Sequence, residues 1–184
     1  MSEERKKLVE IRWHGRGGQG AVTASELLAE AAMDEGAYFQ AFPDYGAERM
    51  GAPMRAYTRV STSPIRHHSQ ITSPDVVVVL DDTLLSAANV TEGIKDDGAL
   101  VINTSMSPGE VRSRLKLDKG KVFTVDASAI AVATLGRDIP NTPMVGAVLK
   151  ARDIVSKDGV VKSVRERLGA RLGKSMAEAN VKAL

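Results

Sequence analysis

The chain has 184 residues, 43% hydrophobic and 26% charged, with 4% aromatic residues, no cysteine and a formal net charge of +2. This length and usage suit one domain over residues 1–184, able to bury about 70% of its unfolded surface without a metal or disulfide staple. The missing cysteines exclude iron–sulfur clusters and thiol nucleophiles from this chain, and the small charge and few rings argue against nucleic acid as a partner.

In chain order, Leu8 to Trp13 reads as a strand that stops at Gly15, and Ala21 to Glu35 switches to helical period. Ala24, Leu27, Leu28, Ala31 and Ala32 form its buried stripe, with Gly36 as the C-terminal stop. Ala37 to Phe42 is predicted as a second strand closed by Pro43, and Met54 to Ser61 as a third near a sheet edge. Asp75 to Asp81 is nearly continuous Val and Leu, as in a parallel strand covered on both faces. Ala99 to Asn103 is the next strand, and Ser107-Pro108-Gly109-Glu110 has capping-box spacing for a helix to about Leu117. Lys121 to Val125 is a strand, and Asp126 opens an alanine-rich helix to about Leu135. Asn141-Thr142-Pro143 begins a helix with the stripe Met144, Ala147, Val148, Ala151 and Val155. From Lys157 on, seven Lys or Arg stand against three Asp or Glu, giving a basic C-terminal helical tail over 157–184, interrupted at Gly169 and Gly173. Alternating strands and helices imply an α/β, Rossmann-like layered fold with a mainly parallel sheet flanked by helices, its strand ends and glycine turn along one edge.

Gly15-Arg16-Gly17-Gly18-Gln19-Gly20 fits G-x-G-x-x-G between a predicted strand and a predicted helix. Glycines there let the backbone approach a ligand, while free amides and the positive helix end favour an anion such as a phosphate. Arg16 offers a charge-assisted bond and Gln19 a neutral one; the bland alternative is that the glycines serve close helix–strand packing. The nearest acid for a dinucleotide's ribose is Asp44, in a turn after Pro43, which weakens a nicotinamide or flavin reading. Neither a P-loop nor a nucleophile elbow is present.

The segments Ile11 to Gly20, Ala41 to Pro53, Pro74 to Asp81 and Ile139 to Met144, taken in order, resemble the gamma subunits of pyruvate:ferredoxin oxidoreductases, within the 2-oxoacid:acceptor oxidoreductases. The resemblance runs to about Val155, with Gly17 where relatives often carry Ala and Asp44 where they often carry Glu. It implies a multi-subunit enzyme that decarboxylates a 2-oxoacid oxidatively, most fittingly pyruvate, reduces ferredoxin and transfers the acyl group to coenzyme A. Thiamine diphosphate would lie between alpha and beta subunits and iron–sulfur clusters in cysteine-bearing partners, delta among the subunits, leaving this chain inactive alone. Residue matching makes Arg16, Gly17, Gly18, Gln19 and Gly20 the anion-cradling turn and places Tyr45 and Arg49 in the second family segment. Both sets are expected to help bind coenzyme A, with no catalytic residue in this chain. A free-standing nucleotide-binding oxidoreductase and a purely structural adaptor are the competing readings.

Other candidates carry bland readings. His14, His67 and His68 lack the spacing of a metal site and are expected to be core or solvent histidines. Asp81-Asp82, at a strand end, suits a helix cap more than a metal or an acid–base pair. Trp13 is expected in the core or an interface. No apolar run approaches the roughly 20 residues that span a bilayer, and the first residues are charged, so a cytoplasmic protein without membrane contact is expected.

Overall fold

A computed structural model describes residues 8–44 and 51–184. Six strands, β1 (Leu8–Arg16), β2 (Tyr38–Asp44), β3 (Pro53–Ser61), β4 (Val76–Val79), β5 (Ala99–Asn103) and β6 (Lys121–Val125), form one sheet in the order β2-β3-β1-β4-β5-β6. β1, β4, β5 and β6 pair in parallel, and β3 runs against both β1 and β2. Chain direction therefore reverses its course at β1: helix α1 (Ala21–Asp34) carries it outward to β2, whereas β4, β5 and β6 build the other way. The carboxyl ends of β1 and β4 meet at this switch point, the usual place for a ligand crevice in such sheets.

Both faces of the sheet are covered. On one, α1 buries its predicted stripe of Ala24, Leu27, Leu28, Ala31 and Ala32 against Ile11 and Trp13 of β1. Helices α4 (Ala127–Leu135), α5 (Asn141–Ala151), α6 (Lys157–Ser163), α7 (Gly169–Leu172) and α8 (Lys174–Ala183) lie on the same side, contributing Met144, Val148, Val160 and Ala177 to that core. On the other face, α2 (Leu84–Ala87) and α3 (Pro108–Leu115) enclose a smaller core of Val77, Val79, Leu100, Ile102 and Val111. Trp13 is a core residue whose indole donates to Thr58 Oγ1 at 3.0 Å.

Local signals set several boundaries. Ser107 and Glu110 form the reciprocal capping box of α3, with Pro108 in its first turn, and the Asp126 carboxylate caps α4 through the amide of Ala129. Gly36, at φ 76°, ends α1, and the Ala37 amide returns to the Ala32 carbonyl. Other boundaries differ from the sequence expectation. β1 continues through Gly15 to Arg16 because Gly15 and Arg16 pair with Met54 and Pro53 of β3. β2 includes Pro43, since an edge strand turns alternate N–H groups away from its neighbour and tolerates proline. α5 stops at Ala151, so Val155 is buried from the following loop instead. Gly169 keeps helical angles; the interruptions are a π-helical turn at Val164–Leu168 and a break at Gly173, φ 86°. Among the described residues no helix is long and apolar enough to cross a membrane.

Candidate functional site

The glycine turn leaves β1 at Arg16 and enters α1 through Gly20. Gly18 and Gly20 take φ of 94° and 82°, left-handed values that side chains with a Cβ rarely adopt. The side of the turn facing β4 is filled by the protein itself. The Arg16 amide donates to Gln19 Oε1 at 2.7 Å, and Gln19 Nε2 donates to Asp81 Oδ2 at 2.9 Å. Arg16 Nε reaches the same oxygen at 3.1 Å, its Nη2 donates to Thr83 Oγ1 and its Nη1 to the Gly51 carbonyl. Burial would raise the Asp81 carboxyl, but hydrogen bonds from Thr83 and Gln19 and the charge of Arg16 outweigh it and hold the group below the usual range. Arg16 and Gln19, through these bonds, fix the turn to the end of β4.

The opposite side of the turn is open. Among the described residues no side chain caps the amino end of α1, where Gly20 is the N-cap. Gly17 and Gly18 are exposed, and Gly18, Gly20 and Thr23 line a cavity of about 450 Å³. Its remaining wall comes from the far end of the chain: Arg137 and Asn141 around the start of α5, and Leu168, Arg171, Leu172, Met176 and Asn180 from the C-terminal helices. Asn141 lies over Gly20, where a Cβ would meet its Nδ2 at 2.7 Å, so glycine is required there twice over. Asn141 is 7% exposed; its Oδ1 accepts from the Thr142 amide at 2.8 Å, and its Nδ2 has no hydrogen-bond acceptor among the described residues. Among the described residues no aspartate or glutamate lines this cavity. Uncapped helix amides, a primary amide and two guanidinium groups, with no competing carboxylate, make an environment for anions.

Neighbouring depressions have other characters. At the ends of β4, β5 and β6 a cavity of about 320 Å³ is lined by Asp81, Asp82, Asp126 and Asp138, a field hostile to phosphate. Asp81 accepts from the Thr83 amide and hydroxyl, Thr83 being the N-cap of α2, and Asp82 accepts from Thr104 Oγ1 at 2.9 Å. Asp44, the candidate ribose acid, is engaged by Tyr57 Oη and Gln70 Nε2 within the sheet layer. His14 is buried and accepts from Arg12 Nε, whereas His67 and His68 are exposed. Among the described residues no three His, Asp or Glu converge as a metal site.

The two sequence segments singled out for the site do meet. A Cβ on Gly17 would lie 3.6 Å from the Gly51 amide nitrogen, and Arg16 bonds the Gly51 carbonyl. Tyr45 and Arg49 lie outside the described residues. Arg137, Arg171 and Asn180 carry no motif that links them to the turn; Asn141 stood in a singled-out segment, but as a helix start.

The switch-point topology and the glycine turn between β1 and α1 define a layered α/β protein with a mainly parallel sheet flanked by helices. Residues 10–184 match the family model for pyruvate ferredoxin/flavodoxin oxidoreductase. The chain is 50% identical, over 94% of its length and 93% of the relative's, to the pyruvate/ketoisovalerate oxidoreductases common subunit gamma of Thermococcus kodakarensis. The crystal structure of pyruvate oxidoreductase subunit PORC from Thermotoga maritima superposes with a TM-score of 0.85 at 45% identity, covering 97% of this chain and 93% of that one. A 2-oxoglutarate:ferredoxin oxidoreductase from Magnetococcus marinus, solved with 2-oxoglutarate, coenzyme A and succinyl-CoA bound, shares the fold: TM-score 0.78, 20% identity, 97% of this chain and 30% of that one. The chain belongs to the pyruvate ferredoxin/flavodoxin oxidoreductase family.

Proposed function

We propose that the chain, as the gamma subunit of a pyruvate or related 2-oxoacid:ferredoxin oxidoreductase, receives the phosphates of coenzyme A at Gly17 to Gly20. The observation that carries the reading is the open, uncapped amino end of α1 facing an acid-free cavity, beside a turn held in shape by Arg16, Gln19 and Asp81. Backbone amides at that end bind the diphosphate, and the positive end of the helix favours its charge. Anchoring one end of a long carrier lets its thiol arm reach a reacting centre in a neighbouring chain at high effective concentration. With no cysteine in its 184 residues, this chain supplies no thiolate to a cluster, so alpha, beta and delta subunits supply the thiamine diphosphate and iron–sulfur sites and pass electrons to ferredoxin. The dinucleotide alternative loses its ribose acid, because Asp44 is already bonded to Tyr57 and Gln70.

Gly18→Asp tests the reading in the assembled complex. It sets a carboxylate at the anion site on a residue with open space around it but a left-handed φ of 94°, so Gly18→Asn, which brings the same backbone strain without the charge, is the reference for the affinity change. Coenzyme A affinity measured by calorimetry is expected to fall at least about tenfold, the loss of one charge-assisted interaction. Unchanged affinity with assembly intact overturns the proposal.

A further inference from the structure

We infer that Arg137 and Arg171, with Asn141 between them and the turn, form a second phosphate subsite that reads the phosphate on the ribose of the bound nucleotide. The inference rests on the coenzyme A reading and adds to it residues that the glycine turn does not include.

The cavity holds more positive charge than a diphosphate on a helix end requires. Asn141 Nδ2 sits directly over Gly20, where it can donate to the same group that the α1 amides bind. Arg137 follows the left-handed Gly136 that ends α4, and Arg171 lies on α7; both are exposed at the cavity wall. Neither guanidinium has a carboxylate or hydrogen-bond partner among the described residues, in contrast to Arg12, Arg16, Arg59 and Arg167, all of which are engaged. Arginine pairs left open on a concave, acid-free wall match a planar, charge-assisted contact to a phosphate monoester. Of the phosphates on coenzyme A, the one outside the diphosphate is the ribose phosphate, which makes it the group left for these arginines.

The apolar part of the wall fits the same ligand. The π-helical turn at Val164–Leu168 resets the helix phase, and Leu168, Arg171 and Leu172 then fall at i, i+3 and i+4 on the cavity side. Leu168 and Leu172 flank Arg171, with Ile139 and Met176 also in the wall, a surface suited to the flat face of a base beside its charged ribose.

Steady-state rates of the assembled complex, with coenzyme A or dephospho-coenzyme A as the varied substrate, test the assignment. The double variant Arg137→Gln, Arg171→Gln is expected to raise KM for coenzyme A roughly tenfold or more while leaving kcat and the KM for dephospho-coenzyme A unchanged. Asn141→Asp keeps the acceptor for Thr142 and reverses the character of the group over Gly20; KM is expected to rise for both substrates. Equal effects of the arginine variant on the two substrates, or none on either, overturn the subsite. If Gly18→Asp still weakens coenzyme A in that case, the glycine-turn reading stands without it; if Gly18→Asp is silent too, both fall.

Discussion

His14 shows how much of this protein's behaviour is set by single buried groups. Arg12 Nε donates to its Nε2 at 3.0 Å, and the Arg12 Nη2 binds the carbonyls of Val90 and Glu92, so the imidazole is a fixed acceptor in a strap across the sheet. Burial first, then the charges of Arg12 and Arg55, lower its pKa from 6.5 to about 3. The unfolded chain takes up a proton near 6.5 that the folded chain refuses until about 3. Stability from this residue is therefore complete above the unfolded value and falls as pH drops through that window, by at most ~1.4 kcal/mol per pH unit. His14→Gln preserves an acceptor for Arg12 and does not titrate. Urea-unfolding midpoints of the variant are expected to change less between pH 6.5 and pH 4 than those of the parent chain; parallel slopes overturn the assignment. The residue's identity was visible in the sequence, but not its role. Its position before the glycine turn suggested solvent or core, and only the approach of Arg12 and Arg55 decides the protonation state. Arg16 and Gln19 follow the same rule. Their place in the motif was legible, whereas their engagement by Asp81, a residue of a distant strand end, was not.

Elements governed by neighbouring residues were legible almost to their ends. β5 and β6 match the predicted strands, and α3 and α4 begin where Ser107 and Asp126 cap them. Elements governed by packing were not. Pro43 sits inside β2 because of the strand's edge position, and Gly169 stays helical because helix packing around Ala177 outweighs its weak propensity. A pair of helical glycines makes the contrast measurable. A Cβ on Gly109 in α3 meets nothing within 4 Å, so Gly109→Ala is expected to stabilise the chain by up to about 0.5–1 kcal/mol through the lower entropy of its unfolded state. A Cβ on Gly146 in α5 would overlap the backbone of Leu184, so Gly146→Ala forces the end of α8 away and is expected to cost about 1–3 kcal/mol. Denaturant midpoints of opposite sign check the pair; a stabilising Gly146→Ala would mean that α8 does not seat on α5.

At the scale of the molecule, the candidate cavity joins residues 18–23 to residues 135–180, so a reading that moves along the chain meets its two halves separately. The glycine turn announces itself by motif, and the opposite wall has no motif because it is made by a fold of the last third of the chain over the first helix. That last segment has the composition of a solvated basic tail, yet it is threaded into the main core. Val160, Val164, Leu168 and Ala177 are buried against it, Ser163 Oγ donates to the Leu27 carbonyl, and Arg167 binds both Glu26 and Glu30 on α1. Each buried Val or Leu side chain is worth about 1.5–3 kcal/mol, and the three together reach the lower part of the net stability of a typical domain, about 5–15 kcal/mol. Deleting residues 157–184 also exposes the outer face of α1, which those side chains cover. The truncated chain is therefore expected to lose its cooperative thermal transition by circular dichroism, not merely to melt a few degrees lower. Retention of a sharp transition would show that the sheet and α1 stand without the segment, and would make the cavity a surface formed between a stable core and a separable cap.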